Sequence, residues 1–280
     1  MKLRAVGIYP AACNIYCCRQ RVLMNPCFDL ASAEKYKSKS QQIRVMSEKW
    51  VKSNIFCPAC GSALRCYGNN HPAADFYCPQ CPEQFELKSS GRKWGKKIMG
   101  GSYTIMLERL NSAKPPNFFF LHYKQAAAGC RVENFFCIPG QFFTANIIEK
   151  RPPLSEKARR AGWVGCKILA DKLPESGKIF YIRDNICAPN ADVRRNFDKI
   201  RFLNGQQAET KNWLIDVMKY TELLAKDRFT LTEFYAKAEA DLQRQHPDNN
   251  NVRAKIRQQL QFLRDKGYVS FKGGGIYELR

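Results

Sequence analysis

The chain has 280 residues, enough for one large or two smaller globular domains, and its 45% hydrophobic and 12% aromatic content excludes a disordered protein. Lysine and arginine number 46 against 25 acidic residues, a formal net charge of +21 that points to a polyanionic partner, nucleic acid first among them. No apolar run approaches the ~20 residues of a membrane span, and neither a lipidation signal nor a basic amphipathic helix supports the rival reading of a membrane-surface protein.

The 13 cysteines are odd in number and scattered, which speaks against a disulfide framework. With no clear secretory signal, reduced thiols in the cytoplasm are the expectation. Histidine is scarce: His71, His122 and His246 are the three present. A histidine-based nuclease motif therefore has little to draw on.

Residues 1–23 show no sustained period. Pro10 and Asn14 break their apolar stretch, so a signal peptide is the weaker reading. A dispensable extension, with Met24 as an alternative start, is the stronger one. Residues 32–52 read as the first helix, with Ile43, Met46 and Trp50 on one face. Glu48 reads as a solvated acid on that helix, with a part in a metal site as the alternative.

Next come Cys57-x2-Cys60 and Cys78-x2-Cys81, separated by 17 residues. This is the two-knuckle spacing of a four-cysteine zinc site. Four thiolates leave no open coordination position, so the zinc is read as structural. A redox CxxC pair is the competing reading. Asp75 lies just before the second knuckle, and Glu86-Leu87-Lys88 just after it. That spacing suits two neighbouring strands joined by a hairpin. Two carboxylates and a lysine at strand ends are suited to holding a divalent metal and a water beside a phosphodiester; the bland alternative is a strand-surface salt bridge.

The Gly- and Lys-rich loop that follows carries Arg92, Lys93, Lys96 and Lys97, read as phosphate contacts. Residues 98–112 read as a helix with Met99, Tyr103, Met106 and Leu110 on one face. Phe118 to Leu121 and Val132 to Ile138 read as buried strands, and Phe142 to Ile148 as a short helix. In 151–166, Arg159 and Arg160 precede Trp163, which is flanked by small residues. This reads either as a loop approaching DNA with an aromatic free to touch bases, or as a core Trp beside surface arginines. Gly177 to Ile182 reads as a final strand, and 184–210 as a linker or peripheral element.

Residues 211–225, 231–243 and 252–266 read as three helices. The last buries Val252, Ile256, Leu260 and Leu263 and is ended by Gly267. Thr230 or Thr232 is the expected cap of the second helix. Two short strands around Lys272 and three glycines then form a hairpin. Three helices and a hairpin make a winged helix-turn-helix. Arg253, Arg257, Gln258 and Gln261 would face the major groove, and Lys272 would touch backbone. Residues 251–280 carry seven basic side chains against two acidic ones, in keeping with a second basic surface.

Asp75, Glu86 and Lys88 fit the PD-(D/E)xK nuclease pattern, with Ala74 where the pattern's name has proline. Together with the knuckles and the winged helix, the stretches ADFYCPQCPEQFELKS (74–89), NFFFL (117–121), ARRAGWVGC (158–166) and KIRQQLQFLRDK (255–266) carry a family likeness. From Met24 to Arg280 the chain resembles the DpnI-like type IIM methyl-directed restriction endonucleases. The resemblance implies an α/β (α+β) PD-(D/E)xK restriction-endonuclease-like core over 24–208 with an embedded zinc site. It implies a winged-helix domain over 209–280, and it leaves 1–23 outside.

The resemblance further implies Mg²⁺-dependent, blunt double-strand cleavage of GATC carrying N6-methyladenine, read by both domains. Asp75, Glu86 and the Leu87 carbonyl would hold the Mg²⁺, and Lys88 would act on the attacking water. Trp163 would meet the methyl group. The partner would be duplex DNA, with no obligate protein partner and a monomeric chain. Two other readings stay open: a non-catalytic zinc-ribbon/winged-helix regulator, and a PD-(D/E)xK repair nuclease that reads DNA structure.

Overall fold

A computed structural model describes residues 24–68, 74–112, 114–126 and 129–280. His71 and the 1–23 extension lie outside the described residues. In chain order the first elements are α1 (Lys39–Asn54), β1 (Arg65–Cys66), β2 (Phe76–Tyr77), β3 (Gln84–Ser90), β4 (Lys97–Ser102) and α2 (Tyr103–Leu110). Then follow β5 (Asn117–Ala126), β6 (Gly129–Ile138), β7 (Ile148–Pro153), β8 (Val164–Leu169), β9 (Ile179–Arg183), β10 (Ile186–Cys187) and α3 (Asn190–Lys199). The chain closes with α4 (Ala208–Leu223), β11 (Arg228–Thr230), α5 (Leu231–Gln245), α6 (Val252–Asp265), β12 (Val269–Phe271) and β13 (Ile276–Leu279).

The chain forms two compact units. The first runs to Lys93 and adds Pro116–Ile138 and Ile179–Arg195. It is built on a seven-stranded mixed sheet of order β1-β2-β3-β5-β6-β9-β10. Strands β3 and β5 run parallel; every other pair in the sheet is antiparallel. Successive strand residues point to opposite faces, and Phe118, Phe119, Phe120 and Leu121 are all fully buried. Both faces of β5 are therefore covered, which is why its sequence shows no alternation. On one face Phe119 stacks on Phe85 at 4.4 Å and meets Phe135 at 5.0 Å. Trp50 of α1 reaches the same Phe135 at 5.5 Å. This aromatic plate fixes β3, and so the Glu86–Lys88 stretch, against a rigid support.

The second unit contains Trp94–Pro115, Pro139–Lys178 and Asn196–Arg280. It holds an antiparallel sheet β4-β8-β7 and, in the C-terminal part, helices α4, α5 and α6 with the sheet β11-β13-β12. Thr230 caps α5. Its Oγ1 accepts the Glu233 N–H at 3.1 Å, and the Glu233 carboxylate accepts the Thr230 N–H at 2.7 Å. This is a complete capping box. The wing tip is Gly273-Gly274-Gly275, with φ of +88°, +56° and +75°. Three consecutive left-handed residues demand glycine.

Several expectations change. Residues 98–112 are not one helix: β4 occupies 97–102 and α2 begins at Tyr103. Gly100 and Gly101 oppose helix there, and a Cβ on Gly100 would collide with the Cys166 sulfur of β8. Met99 is accordingly exposed while Met106 is buried. The first helix starts at Lys39, after a 3-10 turn at Leu30–Ala33. Residues 142–148 hold parts of two 3-10 turns, Gly140–Phe142 and Ala145–Ile147, instead of a short helix. Residues 184–210 are no linker: they form β10 and α3, with Val193, Phe197, Ile200 and Leu203 buried. Nine described cysteines are free thiols, but Cys27 is disulfide-bonded, against the expectation of reduced thiols throughout.

Candidate active site and nucleic-acid interface

Each knuckle is a tight turn held by the backbone. The Gly61 N–H donates to the Cys57 carbonyl at 2.8 Å, and the Cys78 N–H donates to the Glu83 carbonyl at 2.9 Å. These turns bring the sulfurs of Cys57, Cys60, Cys78 and Cys81 within 4.8 Å of one another. The Cys57–Cys81 and Cys60–Cys78 sulfurs stand 3.5 and 3.4 Å apart. Zn–S bonds of ~2.3 Å in a tetrahedron put sulfurs about 3.8 Å apart, so the quartet fits a zinc ion. Burial pushes the Cys57 thiol up and the Cys81 thiol to about 11. Burial is outweighed at Cys60 by hydrogen bonds from Ser62 and the neighbouring thiols, which lower it to about 6, while the charge of a bound metal would favour the thiolates of Cys57 and Cys81. The competing redox reading pairs cysteines within a knuckle, whereas here sulfurs of the two knuckles also meet, and all four gather around one point.

The hairpin β2–β3 carries the second cluster. Its register pairs Phe76 with Phe85 and Tyr77 with Gln84, and the Asp75 N–H donates to the Phe85 carbonyl at 3.0 Å. There the two chains part. Strand β3 continues against β5 as far as Ser90, but β2 no longer lines its other edge. Into this opening the Asp75 carboxylate turns, accepting the Leu87 N–H at 2.7 Å through Oδ2. Two residues apart on β3, and so on one face of it, Glu86 and Lys88 form an ion pair largely shielded from solvent. Asp75, Glu86 and Lys88 are thus brought to one strand edge.

Burial raises the Asp75 pKa, helped by the neighbouring Glu86 and Glu48 and opposed by the Leu87 N–H and Lys88. A buried carboxylate whose charge is disfavoured is what a bound cation relieves. Glu48 is the addition that the sequence undervalued. It lines a cleft of about 470 Å³ together with Lys39, Arg44, Asp75, Leu87 and Ser89. The Arg44 Nε donates to it at 2.7 Å, one helical turn away. Its side chain is 25% exposed, against the reading of a solvated helix face.

The basic residues read as phosphate contacts are exposed, with differing freedom. Arg92 and Lys96 lie at the surface. Lys93 stands 3.6 Å from Asp184. Lys97 is ion-paired with Glu149, which Lys167 also approaches at 3.3 Å. Arg159 and Arg160 are exposed on the loop between β7 and β8. The Arg160 guanidinium lies over the Trp163 ring at 4.9 Å. Trp163 is half-buried, so it is neither a core residue nor free. Its ring lies on Gly165, where a Cβ would sit 2.8 Å from it.

In the winged helix, Arg253, Arg257, Gln258 and Gln261 are all exposed on α6. Arg253 forms a two-pronged bond to Glu239 of α5, at 2.7 and 2.9 Å. Arg257 donates to the Tyr235 hydroxyl at 3.2 Å. Lys272 of the wing pairs with Glu278 at 2.6 Å. No helix among the described residues is long and apolar enough to cross a membrane.

A mixed α/β core with a four-thiol metal cage, joined to a C-terminal winged helix presenting arginines and glutamines, defines a DNA-binding protein. Two family models match the chain: DpnI, the Dam-replacing family, over residues 24–206, and the Dam-replacing HTH domain over residues 209–279. The chain belongs to the DpnI family, and membership implies a methylation-dependent restriction enzyme.

Proposed function

We propose that this protein is a type II, methyl-directed PD-(D/E)xK endonuclease that cuts both strands of GATC carrying N6-methyladenine in a Mg²⁺-dependent reaction leaving blunt ends. The domains are 24–208 for catalysis and 209–280 for the winged helix, in a monomer working in the bacterial cytoplasm. The observation that carries the reading is the Asp75 carboxylate bonded to the Leu87 N–H at the edge where Glu86 and Lys88 sit.

Asp75, Glu86 and the Leu87 carbonyl would hold the Mg²⁺, which prefers such oxygen donors. When bound, the ion supplies charge neutralisation at the phosphate and a more acidic water. The residues do the rest. The Leu87 N–H fixes the Asp75 carboxylate in the opening. Glu86 holds the Lys88 ammonium in place. Lys88, as the ammonium, orients the attacking water, eases loss of its proton to solvent by stabilising the hydroxide, and stabilises charge on the phosphorane. The knuckle cage, with Zn²⁺, braces the loop that delivers Asp75. Arg92, Lys93, Lys96, Lys97, Arg159 and Arg160 bind phosphates, and Trp163 offers the methyl group an apolar face.

Plasmid DNA from adenine-methylating and non-methylating hosts tests this directly. Cleavage of the methylated plasmid alone, with Mg²⁺, is expected. Cleavage of both, or of neither, overturns the reading; DNA binding without any nicking would instead indicate a regulator.

A further inference from the structure

Arg253, Arg257, Gln258 and Gln261, all exposed on α6, look interchangeable in sequence, yet α5 treats the two arginines among them differently. The Arg253 guanidinium gives Nε and Nη2 to the two oxygens of Glu239, at 2.7 and 2.9 Å. It also lies over the Tyr235 ring, 5.0 Å from its centroid. Its charge is cancelled by a carboxylate, its planar face is taken, and one of its two-donor edges is spent. Arg257 lies one turn further along the same face of α6. It gives only Nη1, to the neutral hydroxyl of Tyr235 at 3.2 Å. It therefore keeps its full charge and its remaining donors. The same hydroxyl donates to the Arg253 carbonyl at 3.5 Å, which ties Tyr235 to the first turn of α6.

We propose that Tyr235 and Glu239 are positioning residues that divide the work of α6, Glu239 fastening Arg253 to α5 and Tyr235 presenting Arg257 to a guanine edge in the major groove. An arginine reads guanine through paired donors to O6 and N7, which requires a guanidinium oriented in advance and not already forked to a carboxylate. A hydroxyl on one terminal nitrogen orients the group while leaving donors for the base. This rests on the reading that the winged helix binds the recognised site.

The test measures DNA binding by the full chain carrying Asp75→Ala, so that nothing is cut. The duplexes are a methylated GATC site and the same site with 7-deazaguanine, which lacks the N7 acceptor. The parent should lose on the order of tenfold in affinity on the deaza duplex. Arg257→Ala should reduce that loss severalfold, and Arg257→Lys should do the same while keeping the charge and the salt dependence. Arg253→Ala should leave the loss unchanged. Tyr235→Phe should shrink it without altering the salt slope, a readout that mere destabilisation would not give. Glu239→Gln should release the Arg253 charge, tightening binding to unrelated duplex and steepening the salt slope by about 1.

An unchanged deaza effect in Arg257→Ala, its loss in Arg253→Ala, or no deaza effect in the parent overturns the proposal. If the unsubstituted chain fails to cut methylated DNA, the nuclease reading fails by itself, and the deaza comparison still reports on Arg257.

Discussion

The carboxylate of Asp75 accepts the backbone N–H of Leu87 at 2.7 Å, twelve residues further along the chain. That bond takes the place of a ladder bond that β2 would have made had it continued beside β3. It sets the acid at the edge where Glu86 and Lys88 are paired.

Asp75→Ala should abolish cleavage, with a loss of at least about 10²-fold, and should leave binding of methylated duplex within a few-fold. Parallel digestion and anisotropy measurements check this. Retained cleavage removes Asp75 from the mechanism.

Glu48→Gln keeps the size of the side chain and removes its charge from the cleft. Cleavage should fall by about 10–100-fold, the cost usual for groups that support a metal site, and added Mg²⁺ should recover part of it. A rate equal to that of the parent at limiting Mg²⁺ would show that Glu48 takes no part.

Metal analysis should find about one zinc per chain. Cys57→Ser should release it and destabilise the first unit by more than about 4 kcal/mol, the scale of losing a structural metal. Calorimetry with and without a chelator measures this. Loss of zinc with unchanged melting contradicts the bracing role.

Gly165→Ala places a methyl group against the Trp163 ring. The ring must shift, and the preference for methylated over unmethylated GATC should drop at least several-fold while melting changes little. Trp163→Ala should lower it further. Cleavage assays on the two duplexes decide.

Thr230→Ala should cost the winged helix about 1 kcal/mol, as for other lost N-caps. The acids here also set a pH dependence. Glu233 is lowered to about 2 by Lys226 and the Thr230 groups, and Glu278 to about 2 by Lys272 and Arg228. A lowered carboxylate stabilises the fold fully above its ordinary value of 4.5 and loses that contribution as pH falls toward 2. Thermal melts between pH 6 and pH 2 should show the decline, and Glu278→Gln should flatten it. Both groups are partly open to solvent, so salt should weaken the effect.

Much of this architecture is written in short-range spacing. The knuckles, the Asp75–Glu86 hairpin, the capping box at Thr230 and the three C-terminal helices depend on residues close in sequence. What was hidden depends on packing. Glu48 looks like any helix-face acid until α1 is laid beside β3. The α3 pattern of Val193, Phe197 and Ile200 is helical, but Arg194, Arg195 and Asp198 among them make the stretch look like a linker. In 98–112 the period of Tyr103, Met106 and Leu110 runs on into Met99, and the sheet pairing to β8 that stops it lies some 65 residues away. The different bonding of Arg253 and Arg257 depends on α5, and nothing in α6 itself announces it.

The parting of β2 from β3 after Phe85 has a further consequence. Among the described residues no strand lines that side of β3 beyond Phe85, and such an edge is a template on which another chain can add itself. Here that edge carries Asp75, Glu86 and Lys88, and charge is what keeps such edges from self-association. Asp75→Asn and Lys88→Ala, the variants that test the proposed mechanism most directly, are then also the ones with the least protected edge. Their solubility at high concentration should be lower than that of the parent, and duplex DNA, bound over this edge as proposed, should restore it.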